Sequence, residues 1–251
     1  MSFLANLLRR PPVQPKQAAT PQPVVPEPRR GPRAPLPFLD PQPMPAEQVA
    51  AVQMAAALLL AYPDESYPDT LVAVRDVVGS LEGEVASDLL AYLDAAQSRT
   101  LAQAQAHYVD IFDLKRRCTL HLSYYSSGDT RRRGMALVTF GEAYQACGFE
   151  FDDDELPDHL TLVLEMAARG GGEIAEVLLS AHRQGIELLR SALHQFKTPY
   201  GHSIDAVCRT LPPIDDLAAA RFSDLVASGP PQEMVGLSAP LLPFPTVRSE
   251  V

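Results

Sequence analysis

Six carboxylates crowd into nine residues past the middle of the chain and form its most unusual local feature. They are Glu150, Asp152, Asp153, Asp154, Glu155 and Asp158. One interpretation is a solvated loop whose acids lie near the positive end of the following helix, where negative charge is favourable. The other is an acidic lip that receives a basic peptide. Composition alone divides these two interpretations about evenly.

Other polar groups give weaker signals. Asp158 and His159 stand at a predicted helix start. An aspartate in the first turn of a helix is favourable by itself, so the pair needs no functional explanation. The arginine run at 131–133 is either an anion site or three solvated cations, and solvated cations are the favoured interpretation. Cys118 and His121 form a lone Cys-x-x-His pair, whereas structural zinc needs about four ligands. We therefore predict no metal site.

Sequence signatures of catalysis are missing from the chain. It contains no phosphate loop, G-x-G-x-x-G, H-E-x-x-H or G-x-S-x-G, and its six histidines are scattered. The net charge of −10 argues against general nucleic-acid binding, which needs a basic surface. Three sparse cysteines are typical of reduced thiols in the cytoplasm, not of a disulfide framework.

The elements that position these residues are predicted to be helices, because apolar residues recur at helical spacing. Helices are predicted from Ala46 to a stop at 62–64, through 71–79 and 85–93, over 101–114, 132–146, 158–168 and 173–196, and as a pair over 203–227. The polar stretch at 123–129 contains turn formers and is predicted to be a turn. No alternating β-branched run is long enough for a strand.

The predicted organisation is a single-domain, all-α helical bundle with a proline-rich segment at each end. The bundle covers 46–228. A disordered arm at 1–45 holds 13 of the 24 prolines, and a loose tail covers 229–251. The apolar run at 48–62 is shorter than the ~20 residues that a membrane span needs. We therefore predict a buried core helix there and no integration into a membrane.

One long block of the chain resembles a known family. It runs from Tyr108 to Ala168 and includes GDTRRRG at 128–134 and ELPDHL at 155–160. This block is similar to the central region of the nitrate reductase assembly chaperones, the NarJ or delta-subunit family. The stretch ALLLAYPDE, Ala57 to Glu65, is similar to the family's opening helix. The resemblance covers about residues 46 to 200.

The resemblance implies a chaperone and not an enzyme. Such proteins are cytoplasmic, bind the apo catalytic (alpha) subunit of nitrate reductase through its basic, amphipathic N-terminal segment, and hold it for molybdenum cofactor insertion before membrane docking. We predict no bound cofactor and, from the net charge, no nucleic-acid partner, and we expect molybdenum cofactor biosynthesis proteins as further partners. Alternatives are a chaperone for a trimethylamine-N-oxide or dimethyl sulfoxide reductase, an enzyme of cofactor insertion, and a structural subunit of a respiratory complex.

The resemblance also assigns a peptide-binding site. The E-x-P-D-H motif, linked across the wider family to target-peptide recognition, carries over onto Glu155, Pro157, Asp158 and His159. We add the neighbouring acids Asp153 and Asp154, and the aromatic pair Tyr124 and Tyr125, which would supply flat, partly polar contacts to a groove. No family role carries over onto the arm. Its apolar face at residues 3–8 is either a frayed terminus, which we favour, or a weak imitation of the target helix.

Overall fold

Ten α-helices make up most of the chain that the structure describes. The computed structural model describes residues 36–150 and 155–213. The helices are α1 (Ala46–Leu60), α2 (Tyr67–Val78), α3 (Gly83–Ala96), α4 (Leu101–Tyr108), α5 (Leu122–Ser127), α6 (Arg132–Ala146), α7 (Leu160–Ala168), α8 (Gly172–Ala181), α9 (Arg183–Gln195) and α10 (Tyr200–Thr210). A π-helical turn at Val109–Asp113 and a 3-10 turn at Arg116–Cys118 separate α4 from α5. No strand occurs in these two ranges, which confirms the predicted all-α fold.

The core forms around α1, which packs against α7 and α10. Nearly every side of α1 is apolar, as in a helix enclosed by others, and Val52, Ala56 and Leu60 are fully buried. In turn, α10 packs against α3 and α9. The prediction of a buried core helix in this region is therefore confirmed.

The helical period located several helices to within a few residues. The boundaries of α6 agree with the predicted ones, and α7 begins at Leu160, two residues later than predicted. Helix α10 begins three residues earlier than predicted, because Pro199 already has helical φ and ψ angles and precedes its first turn. The second helix of the predicted pair and the predicted tail lie beyond residue 213, outside the described residues.

The single long helix predicted over 173–196 is wrong, because the chain breaks at His182 into α8 and α9. His182 leaves helical geometry, with φ −102° and ψ 8°. Its backbone N–H donates to the carbonyl of Leu178, and its Nδ1 lies 2.9 Å from that same oxygen. The side chain thus supports the break, which carries no glycine or proline that would have revealed it in the sequence.

The turn predicted over 123–129 is also wrong in part, because Leu122–Ser127 forms α5 before the chain turns at Gly128. Burial of Leu122 and Tyr125 holds this polar segment in a helix.

The helix predicted over 101–114 continues past α4 as a π-helical turn. That turn keeps both Tyr108 and Phe112 against Tyr200, with ring centroids 6.2 and 4.6 Å apart.

Residues 36–45 lie against the helices, although the sequence analysis placed them in the disordered arm. The backbone N–H of Gln42 donates to the carbonyl of Arg209 at 2.9 Å, and its side chain donates to the carbonyl of Glu82 at 2.8 Å. These contacts join the segment to the end of α10 and the start of α3. The first 35 residues lie outside the described part of the chain.

A buried ionic network runs along α9. Glu187 is fully buried and accepts hydrogen bonds from Arg183 at 2.9 Å and from Arg190 at 2.6 Å. Arg183 also donates to the carbonyl of Cys208, and Arg190 to Asp205, so both contacts reach α10. Since each buried charge has a partner, the network tolerates burial and fixes α9 against α10.

Loss of the Glu187 charge is expected to destabilise the protein strongly. Glu187→Gln leaves two buried arginines without their shared carboxylate, which should lower the free energy of unfolding by about 3–5 kcal/mol. Glu165→Gln is the matched control, because Glu165 pairs with Arg169 at the same i,i+4 spacing on an exposed surface, where such pairs contribute about 0.3–0.5 kcal/mol. Urea unfolding measures both, and equal losses would contradict the network's role.

Two glycine substitutions should have opposite effects. A Cβ added at Gly185 of α9 would lie 2.9 Å from the Tyr125 side chain, so Gly185→Ala is expected to cost about 1–3 kcal/mol. At Gly141 of α6 nothing lies within 4 Å of the added atom, so Gly141→Ala should stabilise by about 0.5–1 kcal/mol. Thermal melts compare the two, and a stabilising Gly185→Ala would disprove the packing of α5 on α9.

Candidate functional site

The candidate site forms where the loop before α5 pairs with the loop before α7. An isolated antiparallel bridge pairs His121 with His159. The N–H of Leu122 donates to the carbonyl of Asp158, and the N–H of Leu160 donates to the carbonyl of Leu120, both at 2.9 Å. The bridge therefore places the starts of α5 and α7 side by side.

Asp158 lies at the centre of this paired region, and its side chain is fully buried. His121 Nδ1 donates to Oδ1 at 3.0 Å, and Ser123 donates to Oδ2 through its backbone N–H and, at 2.5 Å, its hydroxyl. Arg133 Nη2, at the start of α6, lies 3.6 Å from Oδ2. Burial raises the pKa of Asp158, but the hydrogen bonds from His121 and Ser123 outweigh it and hold the pKa below its ordinary value. The carboxylate therefore stays charged.

His159 is buried beside it, with 7% of its surface exposed. Its Nδ1 shares a hydrogen bond of 2.6 Å with the Thr161 hydroxyl, and its Nε2 lies 3.8 Å from a carboxylate oxygen of Glu155. Burial, helped by the nearby His121, lowers the pKa of His159 to about 4. The imidazole is therefore neutral near neutral pH.

The predicted motif divides into a buried part and an exposed part. Asp158 and His159 lie inside, whereas Glu155 is exposed and Pro157 is half-buried. Leu156 between them, which the sequence analysis did not select, is 43% exposed. Asp153 and Asp154 lie outside the described residues. The contacts of Asp158 and His159 thus hold a short exposed turn in place.

The aromatic pair is divided in the same way. Tyr124 is half-buried, whereas Tyr125 is 3% exposed. The Tyr125 hydroxyl donates to the carbonyl of Thr119 at 2.8 Å, and its ring rests on Gly185 of α9. The structure therefore places Tyr125 in the core, whereas Tyr124 packs against the core and keeps part of its surface exposed.

Helix α6 begins at the site and carries apolar side chains into solvent. Its Arg133 reaches Asp158, and two residues later Met135 is 71% exposed. Val138 is 53% exposed and lies one turn along the same face, because residues three apart are neighbours on a helix. Residues two apart point to opposite sides of a helix, so this exposed apolar strip lies on the side of α6 away from Arg133 and the buried carboxylate.

Three partners of Asp158 were missed by the sequence analysis. Ser123 was assigned to a turn, Arg133 was assigned to solvated cations, and His121 was considered only with Cys118. Each lies 25 or more residues from Asp158 along the chain, and no local spacing connects them. These residues come together only because the two loops pair in the folded protein.

The Cys-x-x-His pair is held in unrelated contacts. Burial raises the pKa of the Cys118 thiol to about 12, which disfavours the thiolate that a metal requires. His121 Nδ1 is bonded to Asp158. Among the described residues, one group of metal-ligating side chains has its ligand atoms close together, and it lies elsewhere, on α3 and α10.

None of the described helices has both the length and the apolar composition that crossing a membrane requires.

Comparison with known proteins gives a consistent family signal. A family model described as nitrate reductase delta subunit matches residues 80–205, which is half of the chain. The nitrate reductase-like protein NarX of Mycobacterium tuberculosis is 35% identical over 159 residues, covering 63% of this chain and 24% of NarX. The chain therefore spans about a quarter of that relative. The nitrate reductase molybdenum cofactor assembly chaperone NarJ of Escherichia coli is 29% identical over 181 residues, 70% of this chain and 77% of NarJ.

Acid should destabilise the fold through His159. Its pKa is about 4 in the folded chain and about 6.5 in an unfolded chain, so the unfolded state takes up the proton first as the pH falls. Stability should therefore fall progressively from about pH 6.5 to about pH 4, by at most about 3 kcal/mol from this residue. Urea unfolding at about pH 7 and about pH 5 measures the loss.

His159→Gln should reduce this acid-dependent loss, because glutamine takes up no proton. An identical acid loss in the wild type and His159→Gln would show that this imidazole is not the group responsible.

Proposed function

Because the chain belongs to the nitrate reductase delta subunit family, we propose that it is a system-specific chaperone that assembles a respiratory nitrate reductase. It binds the apo catalytic subunit in the cytoplasm and holds it for molybdenum cofactor insertion before membrane docking. The observation that carries this proposal is the family match over 80–205, which includes every described residue of the candidate site. The name of the Escherichia coli relative, an assembly chaperone, supports the same role.

The proposed mode of action is binding and not catalysis. The client segment is the N-terminal segment of the catalytic subunit, as a basic amphipathic helix. Such a helix lays its apolar face into a groove and presents its cations to an acidic rim. The described residues include both kinds of exposed surface, with Glu155 in the exposed turn and Met135 and Val138 on α6.

The residues of the motif have different roles in this proposal. Glu155 faces the client's cations, together with Asp153 and Asp154, and Leu156 adds an apolar contact. Asp158 and His159 are buried, so they position the exposed turn and do not touch the client. Tyr124 offers an aromatic surface beside α6, to which α5 is packed.

A peptide that copies the first ~15 residues of the cognate catalytic subunit, about four helical turns, should bind the full chain. The affinity should fall as salt is added, because exposed charge pairs are screened. Glu155→Lys should weaken binding by roughly three- to tenfold, since a rim pair contributes up to ~1 kcal/mol and reversal adds repulsion. Calorimetric titration measures each affinity.

Asp76→Lys is the matched control, because Asp76 is an exposed acid on α2, and it should leave the affinity unchanged. Equal weakening by both variants would indicate a nonspecific charge effect and reject the placement of the site. If the apo catalytic subunit binds but the peptide does not, the client is right and the segment is wrong. Failure of both would reject the proposed function.

A further inference from the structure

A cluster of titratable side chains lies where α3 and α10 meet, and the proposed client site does not use it. It consists of Asp88 on α3 with His202 and Asp205 on α10. One ligand atom from each of these residues lies within 4.8 Å of the others. The cluster combines one imidazole with two carboxylates, a ligand set that first-row transition metals share in proteins.

Helices α3 and α10 bring these groups close to one another. His202 and Asp205 are three residues apart on α10, so they project from one face, and their Nδ1 and Oδ2 atoms lie 3.6 Å apart. Asp88 approaches from α3, which packs along α10. In a tetrahedral zinc site with bonds of about 2.0–2.2 Å, ligand atoms lie roughly 3.3–3.5 Å apart, so small side-chain rotations would close this one.

Both carboxylates are already oriented by outer contacts. His194 Nε2 donates to Oδ2 of Asp205 at 2.7 Å, and Arg190 donates to Oδ1 at 3.3 Å. Arg209 donates to Asp88 Oδ2 at 2.7 Å, which engages one of that carboxylate's two oxygens. Ligands held by second partners of this kind are a regular feature of metal sites.

The His194 ring is itself held tightly in place. A Cβ added at Gly201 would lie 3.0 Å from His194 Cε1, so glycine at this position lets the imidazole lie flat against α10. The ring also meets His202 edge to face, with centroids 5.5 Å apart. Hydrogen bonds thus hold both carboxylates of the cluster, and His194 is confined between Gly201, His202 and Asp205.

We propose that Asp88, His202 and Asp205 bind one divalent transition-metal cation, for which Zn²⁺ is the best probe. His194 acts as a positioning residue that orients Asp205. Three protein ligands leave the fourth tetrahedral position to water or to another donor. The bound cation would join α3 to α10 and add to the contacts that hold the core together.

Titration of the full-length chain with Zn²⁺, monitored by calorimetry and by competition with a chelating dye, tests the site. The wild type should bind one equivalent and melt at a higher temperature with Zn²⁺ than after chelation. His202→Gln and Asp88→Asn should each lose this binding and the thermal shift. His194→Ala should weaken binding by about 10–100-fold, as outer-contact losses do.

Asp94→Asn is the matched control, because Asp94 is also on α3 and also pairs with an arginine, Arg75, at 2.8 Å. It should bind Zn²⁺ like the wild type. Circular dichroism of each variant establishes that it is folded, and Co²⁺ substitution reports the ligand types. Absence of stoichiometric binding to the wild type, retention of it in folded His202→Gln, or thiolate-to-cobalt absorption from a cysteine would each overturn the proposal.

Discussion

Full burial of the Asp158 carboxylate is the constraint from which the arrangement of the candidate site follows. A charge removed from water is stable only when donors surround it. The donors come from His121 and Ser123 at the start of α5, with Arg133 of α6 nearby. The contacts made to this one carboxylate therefore fix the starts of α5, α6 and α7 relative to one another. The exposed turn at 155–157 directly precedes Asp158, so its position depends on that arrangement.

A second buried network performs a similar task between α9 and α10. Glu187 accepts hydrogen bonds from Arg183 and Arg190 within α9, and Arg190 also donates to Asp205 of α10. Asp205 then contacts His194, which lies half-exposed. The chain of charged contacts thus runs from the fully buried Glu187 to the surface cluster that we propose as a cation site. Asp205 is shared by this network and the proposed cation site, so the two are directly connected.

The sequence predicted those parts of the structure that depend on local pattern, and it failed where distant contacts decide. Recurring apolar residues located α1 and α6, because that signal is carried by neighbouring residues of the chain. The break at His182 follows from a side-chain contact that no composition signals, and α5 is helical because Leu122 and Tyr125 are buried.

The candidate site shows the same division between local and distant information. Composition identified six acids, but it could not indicate that Asp158 points inward, since its partners lie 25 or more residues away along the chain. For the same reason the aromatic pair was treated as one unit, although burial separates Tyr125 from Tyr124. The functional consequence is that the motif's buried residues and exposed residues must be tested differently. A substitution at Asp158 leaves donors without their acceptor and changes folding, whereas one at Glu155 changes charge in solvent. Client affinity per folded molecule is therefore the quantity that separates recognition from positioning.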